Sequence, residues 1–295
     1  RARHMPQNHF IVASRGPDPQ VFIWDLSKHP SVPDASSGPS PQAVCIGHSS
    51  EGYGTCWSPH REGHLVTASE DTTVCLWGIQ SALSSSSSSN NGRQIHPIST
   101  FRGHTQVVED VDWHHRDANL IGSVGDDKTI QIWDTRKVNP LKAVHSVLQA
   151  HKDDINTIAF NPVNEFIFAT GSADTTVALW DLRNLKTRVQ TFTGHTDQVY
   201  NIAWAPHNES ILASCSSDRR VGIWDMSRIG MEQTPEDAED GPPELLFLHG
   251  GHTSKVSDFS WNLNDEWTIA SVAEDNVLQV WNMAEEVYAE EEDIE

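Results

Sequence analysis

Short runs in which apolar positions alternate with polar or small ones recur along the chain. Val199-Tyr200-Asn201-Ile202-Ala203-Trp204 is one such run, and Ile211-Leu212-Ala213-Ser214-Cys215 and Val221-Gly222-Ile223-Trp224 follow it closely. A period of two, rich in β-branched and aromatic residues and bounded by turn residues, predicts half-buried strands. Val189-Gln190-Thr191-Phe192 fits a fourth, outer strand of the same unit. The predicted elements are therefore short strands, four to a unit, repeated.

The repeat has a fixed register. Gly-His occurs at Gly47-His48, Gly103-His104, Gly194-His195 and Gly251-His252, with Ala150-His151 a near match. Each His is followed 23 residues later by an Asp (Asp71, Asp127, Asp174, Asp218, Asp275) and 29 residues later by a Trp (Trp77, Trp133, Trp180, Trp224, Trp281). A large aromatic stands nine residues after each His: Trp57, Trp113, Phe160, Trp204 and Trp261. A hydroxyl stands four residues before each Asp: Thr67, Ser123, Thr170, Ser214 and Ser271. Counting back from Trp24, Asp18 and Ser14 fall at the same offsets, so the chain is expected to open inside a sixth unit. Units opening on Gly-His and closing on Trp-Asp resemble WD repeats. That resemblance implies an all-β fold, a WD-repeat β-propeller of four-stranded blades. The expected architecture is a seven-bladed ring with about six blades in this chain, one domain over residues 1–284 and an acidic tail over 285–295.

Ser, His and Asp together invite comparison with a hydrolase triad. Here the constellation occurs five times at identical spacing, whereas an active site is built once. The sequence therefore assigns His48, Asp71, His104, Asp127, His151, Asp174, His195, Asp218, His252 and Asp275 to a structural blade network. No catalytic residue, metal ligand set or cofactor motif is expected. The four cysteines, Cys45, Cys56, Cys75 and Cys215, form no C-x-x-C pair, which argues against zinc and against a disulfide framework. No run of 18 apolar residues is present to span a membrane as a helix, and no small-molecule substrate is implied. The formal charge is −21, which disfavours direct nucleic-acid binding and favours cationic partners.

Three segments interrupt the repeat. Gln80 to Asn91, with serines at 84–89, and the Pro- and Ser-rich stretch Pro30 to Pro41 read as loops. The third insertion, residues 231–244, is acidic and leads into an apolar run, Leu245-Leu246-Phe247-Leu248. It reads either as a solvated hairpin before an outer strand or as a groove with an apolar floor and an acidic lip, suited to a basic amphipathic helix. The end of the chain, Glu285 to Glu295, is a charge run with a helical first turn and a loose remainder.

Three stretches are more specific than a WD repeat: Arg1-Ala2-Arg3-His4-Met5-Pro6-Gln7-Asn8, the acidic Pro-Pro loop from Pro235 to Phe247, and Gly171 to Lys186. Together they closely resemble the retinoblastoma-associated histone-binding proteins, which include the small subunit of chromatin assembly factor 1. The resemblance implies a nuclear, non-catalytic scaffold whose partners are histones H3 and H4 and the larger subunits of chromatin assembly, deacetylase, remodelling and polycomb complexes. It implies an H4-helix site at Glu236, Asp237, Glu239 and Asp240, with Leu245, Leu246, Phe247 and Leu248 beneath. The family's long N-terminal helix, the other wall of that groove, is not found in this chain, so weakened H4 binding is expected. It further implies a face for the H3 tail or similar basic peptides at Glu51, Tyr53, Glu109, Asn156, Gln198, Tyr200 and Glu274. Gln198 stands where the family carries an acid, which removes one charge. The register supports this face independently, because Tyr53, Glu109, Asn156 and Tyr200 each lie five residues after their repeat's His. A rival binding role, substrate receptor of a cullin-type ubiquitin ligase, rests on Trp133-Asp134-Thr135-Arg136 and Trp180-Asp181-Leu182-Arg183.

Overall fold

The computed structural model describes residues 1–32, 38–83, 92–137 and 142–288. Most of the serine insertion, the centre of the Pro30–Pro41 loop and the acidic tail beyond Tyr288 lie outside the described residues. The chain divides into two compact units, Arg1–Ala150 and His151–Glu295. The break falls immediately before a repeat's His.

Among the described residues the first unit holds three sheets. The first contains β1 (Ala2–Met5), β2 (Asn8–Arg15), β3 (Val21–Asp25) and β4 (Ala43–Cys45) in that order. The second contains β5 (Thr55–Trp57), β6 (His64–Ala68) and β7 (Thr73–Gly78). The chain then makes a helical turn, α1 (Gln80–Leu83), where the sequence predicts only loop. After the serine insertion β8 (Arg93–Ile95) adds to β4 in parallel, as a fifth strand of the first sheet. β9 (Ser99–Arg102) then completes the second sheet against β7. The third sheet is β10 (Val108–Trp113), β11 (Leu120–Gly125), β12 (Ile130–Asp134) and β13 (His145–Val147).

The second unit repeats the plan. β14 (Ile155–Phe160), β15 (Ile167–Ser172), β16 (Val177–Asp181) and β17 (Gln190–Phe192) form one sheet, with β17 the outer strand expected from the alternation. β18 (Val199–Trp204), β19 (Ile211–Ser216) and β20 (Val221–Asp225) follow, then a helical turn, α2 (Asp237–Asp240), inside the acidic insertion. β21 (Leu245–His249) closes that sheet against β20, so the apolar run after the insertion is an outer strand. β22 (Val256–Trp261), β23 (Thr268–Ala273) and β24 (Leu278–Asn282) make the last sheet, and α3 (Glu285–Tyr288) is a final helical turn.

Why these residues stack as sheets is visible in their burial. In β10, β14 and β18 the inward positions are buried and the intervening ones half-buried. Middle strands such as β19 are buried on both faces, which suits their near-continuous apolar or small composition. Neighbouring sheets are also tied by three of the ninth-position aromatics. The indole N–H of Trp57 donates to Arg3 O at 2.9 Å, that of Trp204 to Ala159 O at 3.0 Å, and that of Trp261 to Ala203 O at 3.1 Å.

Candidate functional site

The residues assigned to the blade network form one relay five times over. In the second sheet the Trp77 indole donates to Thr67 Oγ1 at 2.8 Å, that hydroxyl faces His48 Nε2 at 2.8 Å, and His48 Nδ1 lies 3.1 Å from Asp71. A hydroxyl that accepts from Trp donates to Nε2, which places the imidazole proton on Nδ1, facing the carboxylate. The other four repeats reproduce it, with His Nδ1 to Asp separations of 3.0, 3.1, 2.8 and 3.2 Å. Each Asp also accepts the backbone N–H of the residue after the His, as Ser49 donates to Asp71 at 2.8 Å. Burial would raise the Asp71 pKa, but hydrogen bonds from His48, Thr73 and Ser49 outweigh it and hold the carboxyl well below its usual range. Asp174 behaves in the same way. The Oγ of Thr67, Ser123, Thr170, Ser214 and Ser271 is thus spent inside the sheet, and these side chains are buried. The relay is a brace.

The residues expected to read a basic peptide sit at a different place in the register, and the ladder explains why. Pairing slips between Val108 and Asp110, between Ile155 and Thr157, and between Val199 and Asn201. The skipped residues are Glu109, Asn156 and Tyr200, each the extra residue of a β-bulge. A bulge frees one residue from the ladder and re-aims its side chain. Position five of the repeat is therefore built to point elsewhere than into the pairing.

What each does there differs. In the first unit Tyr53 precedes β5 with 57% of its surface exposed, while Glu51 and Glu109 are half-buried. In the second unit Asn156 is committed, since its Nδ2 donates to Val199 O at 2.8 Å, a tie to the neighbouring sheet. Gln198 is exposed beside it in the chain's loop. Tyr200 and Glu274 are brought together through a residue that the sequence reading leaves out, Lys255. Its Nζ lies 2.8 Å from Glu274 Oε1 and 5.2 Å from the centroid of the Tyr200 ring. A signal for Lys255 exists in the register: it stands three residues after its His, where the other repeats have Glu51, Val107, Asp154 and Gln198.

The acidic insertion exposes Glu236, Asp237, Glu239 and Asp240 to solvent around α2. Thr234 Oγ1 donates to Asp237 Oδ2 at 2.8 Å and accepts the Asp237 N–H at 3.1 Å, which fixes the start of the turn. Glu244 anchors the other end, buried and accepting from Gln190 Nε2 at 3.1 Å. Leu245, Leu246, Phe247 and Leu248 are half-buried in β21 rather than an open floor. Leu245 packs with Phe192 and Trp224, while Leu246 and Phe247 pack in a cluster with Trp281, Val287 and Tyr288. The last two belong to α3, so the chain's own final turn already covers part of that surface.

Among the described residues, no group of His, Cys, Asp or Glu is placed to hold a metal ion. The four cysteines are free thiols, and burial pushes Cys45 up to about 12 and Cys75 up to about 11. No helix among the described residues is long and apolar enough to cross a membrane.

With the bracing relay and the six sheets in view, comparison with known families is direct. The WD domain, G-beta repeat family matches residues 39–78 and 243–282. The chain contains WD40 repeats. A second family, the EIPR1 beta-propeller, matches residues 87–224, just under half of the chain. The WD40 architecture accounts for the blade sheets of both units and suggests a scaffold or protein-interaction role. It also separates the structural positions of each repeat from the bulged and loop positions that vary between repeats.

Proposed function

We propose that this protein is a non-catalytic, nuclear histone-binding scaffold, built from blades of a seven-bladed propeller and acting within larger chromatin complexes. The observation that carries the reading is the seat formed by Tyr200 and Glu274, which already holds an ammonium group. A carboxylate beside an aromatic face is the chemistry that recognises Arg and Lys. Tyr53, Glu51 and Glu109 offer the same two chemistries in the first unit. A formal charge of −21 steers a basic tail toward such groups. The four exposed carboxylates of the insertion supply a second surface for a basic helix, the H4 reading.

The test is titration of the chain with an H3-tail peptide at two salt concentrations, beside a Glu109→Lys variant. Binding that weakens with salt, and by about tenfold or more (about 1.4 kcal/mol) in the variant, is the expected result. Absence of binding at low salt would reject the histone role and favour the family to which the EIPR1 match points.

A second reading, substrate receptor of a ubiquitin ligase, has one observation in its favour. The side chains of Arg136 and Arg183 are each 64% exposed, and each is held by the Asp of its own Trp-Asp pair at 2.8 and 2.7 Å. Arg183 also lies 4.5 Å over the Phe166 ring. Co-purification with the ligase adaptor, abolished by Arg183→Ala, would support that reading.

A further inference from the structure

Three residues after its His, each repeat places a loop side chain, and Lys255 is the only base among the five. Its backbone is fixed: Glu274 N donates to Lys255 O at 3.0 Å, one step beyond the paired residues Val256 and Ala273. Lys255 and Glu274 thus leave the ends of β22 and β23 side by side. The Tyr200 ring, on the bulge of β18, is held in turn. Its hydroxyl accepts from Ser217 Oγ at 3.3 Å, and its ring packs against the buried cluster of that sheet. Nothing about this seat waits to be assembled. It is complete, and a side chain of the same molecule occupies it.

We infer that Lys255 is an internal competitor, whose ammonium group fills the cation seat of Tyr200 and Glu274 and must be displaced by a basic side chain of the partner. The inference rests on the basic-peptide reading above. The side chains of the ion pair are 38% and 53% exposed, and an exposed pair of that kind is weak enough to exchange. The hydrogen bond to Glu274, with Tyr200 adding to it, raises the Lys255 pKa, so the competitor stays charged at neutral pH.

The identity of the competitor has a consequence for selectivity. An ammonium makes a point contact, whereas a guanidinium can lie flat on Tyr200 and grip Glu274 through two parallel N–H groups. An incoming arginine therefore displaces Lys255 more readily than an incoming lysine does. The seat is an arginine filter.

The experiment titrates the full chain with two probes, an H3-tail peptide and argininamide, following binding by NMR shifts. It compares the native chain with Lys255→Met, Lys255→Gln, Arg220→Met and the double variant Lys255→Met with Glu274→Gln. Melting curves first establish that each variant is folded. Lys255→Met and Lys255→Gln are expected to bind both probes about three- to tenfold tighter. Arg220→Met removes the same charge from the turn after Asp218 and is expected to gain clearly less. Adding Glu274→Gln should erase the gain. Unchanged or weaker binding of argininamide by both Lys255 variants overturns the inference, and so does an equal gain from Arg220→Met. If argininamide follows the expected order while the peptide binds no form, the histone reading falls and the internal competitor stands.

Discussion

Asp174 is the terminus of a chain of four groups, in which the Trp180 indole, the Thr170 hydroxyl and the His151 imidazole each hand a hydrogen bond onward. Removing the carboxylate strands the Nδ1–H of His151, a ring only 2% exposed, along with the turn amides of Lys152 and Thr176. Asp174→Ala should therefore lose about 1–3 kcal/mol of stability. Thermal melting would measure it, and an unchanged midpoint would remove the bracing role. Protonation gives a second check. Desolvation lowers the His151 pKa against the pull of Asp174, so folding favours the neutral ring. The unfolded chain then binds the extra proton, and the stability that His151 contributes is complete above its unfolded pKa of about 6.5 and lost as pH falls toward its folded value. The depressed aspartates add a separate loss as pH falls below about 4, through their folded values. Imidazole nitrogen shifts at pH 7 should show His151 as the neutral Nδ1–H tautomer; a charged ring would contradict this account.

Elements depend on a turn that recurs in every repeat. The residue after each network Asp (Thr72, Lys128, Thr175, Arg219 and Asn276) adopts a left-handed backbone, with φ between 60° and 72°. Non-glycine side chains tolerate that conformation here because the Asp carboxylate captures the following amide, as Thr73 N donates to Asp71 at 3.0 Å. Close approach imposes a harder limit at the end of β11. A Cβ built on Gly125 would collide with the carbonyl oxygen of Val107, backbone immediately before β10 that also accepts from Asp126 N and cannot step aside. Gly125→Ala should cost about 2–3 kcal/mol, read as a lower denaturation midpoint. A neutral outcome would mean that the β10–β11 pairing is looser than this geometry requires.

For the molecule as a whole, most of the architecture is legible in the sequence. The spacing from His to hydroxyl to Asp to Trp writes the relay, and the relay fixes where strands start and turn. The alternation in Val199 to Trp204 likewise gives β18 as a half-buried strand. What could not be read has physical reasons. The parallel addition of β8 to β4 joins segments separated by β5, β6 and β7, and no local pattern encodes such a partner. The bulges at Glu109, Asn156 and Tyr200 arise from pairing, which a single strand does not display. Lys255 escaped because one base in a short polar loop reads as a solvated charge until its distance to Tyr200 is known. The apolar run Leu245 to Leu248 suited either an outer strand or a groove floor, and pairing with β20 together with packing by α3 makes it mainly the former.

The bulges also bear on how such a chain can change. A residue excused from the ladder carries no strand-pairing role, so its identity can drift while the sheet stays in register. Glu109, Asn156, Tyr200 and Ser257 occupy that position in successive sheets and already differ in charge, size and aromaticity. Outside the pairing, and apart from ties such as those of Asn156 and Tyr200 to their neighbours, the position is an editable letter in a fixed frame. New ligand preferences can be written there by single substitutions, in the laboratory or over generations, without asking the fold to be solved again.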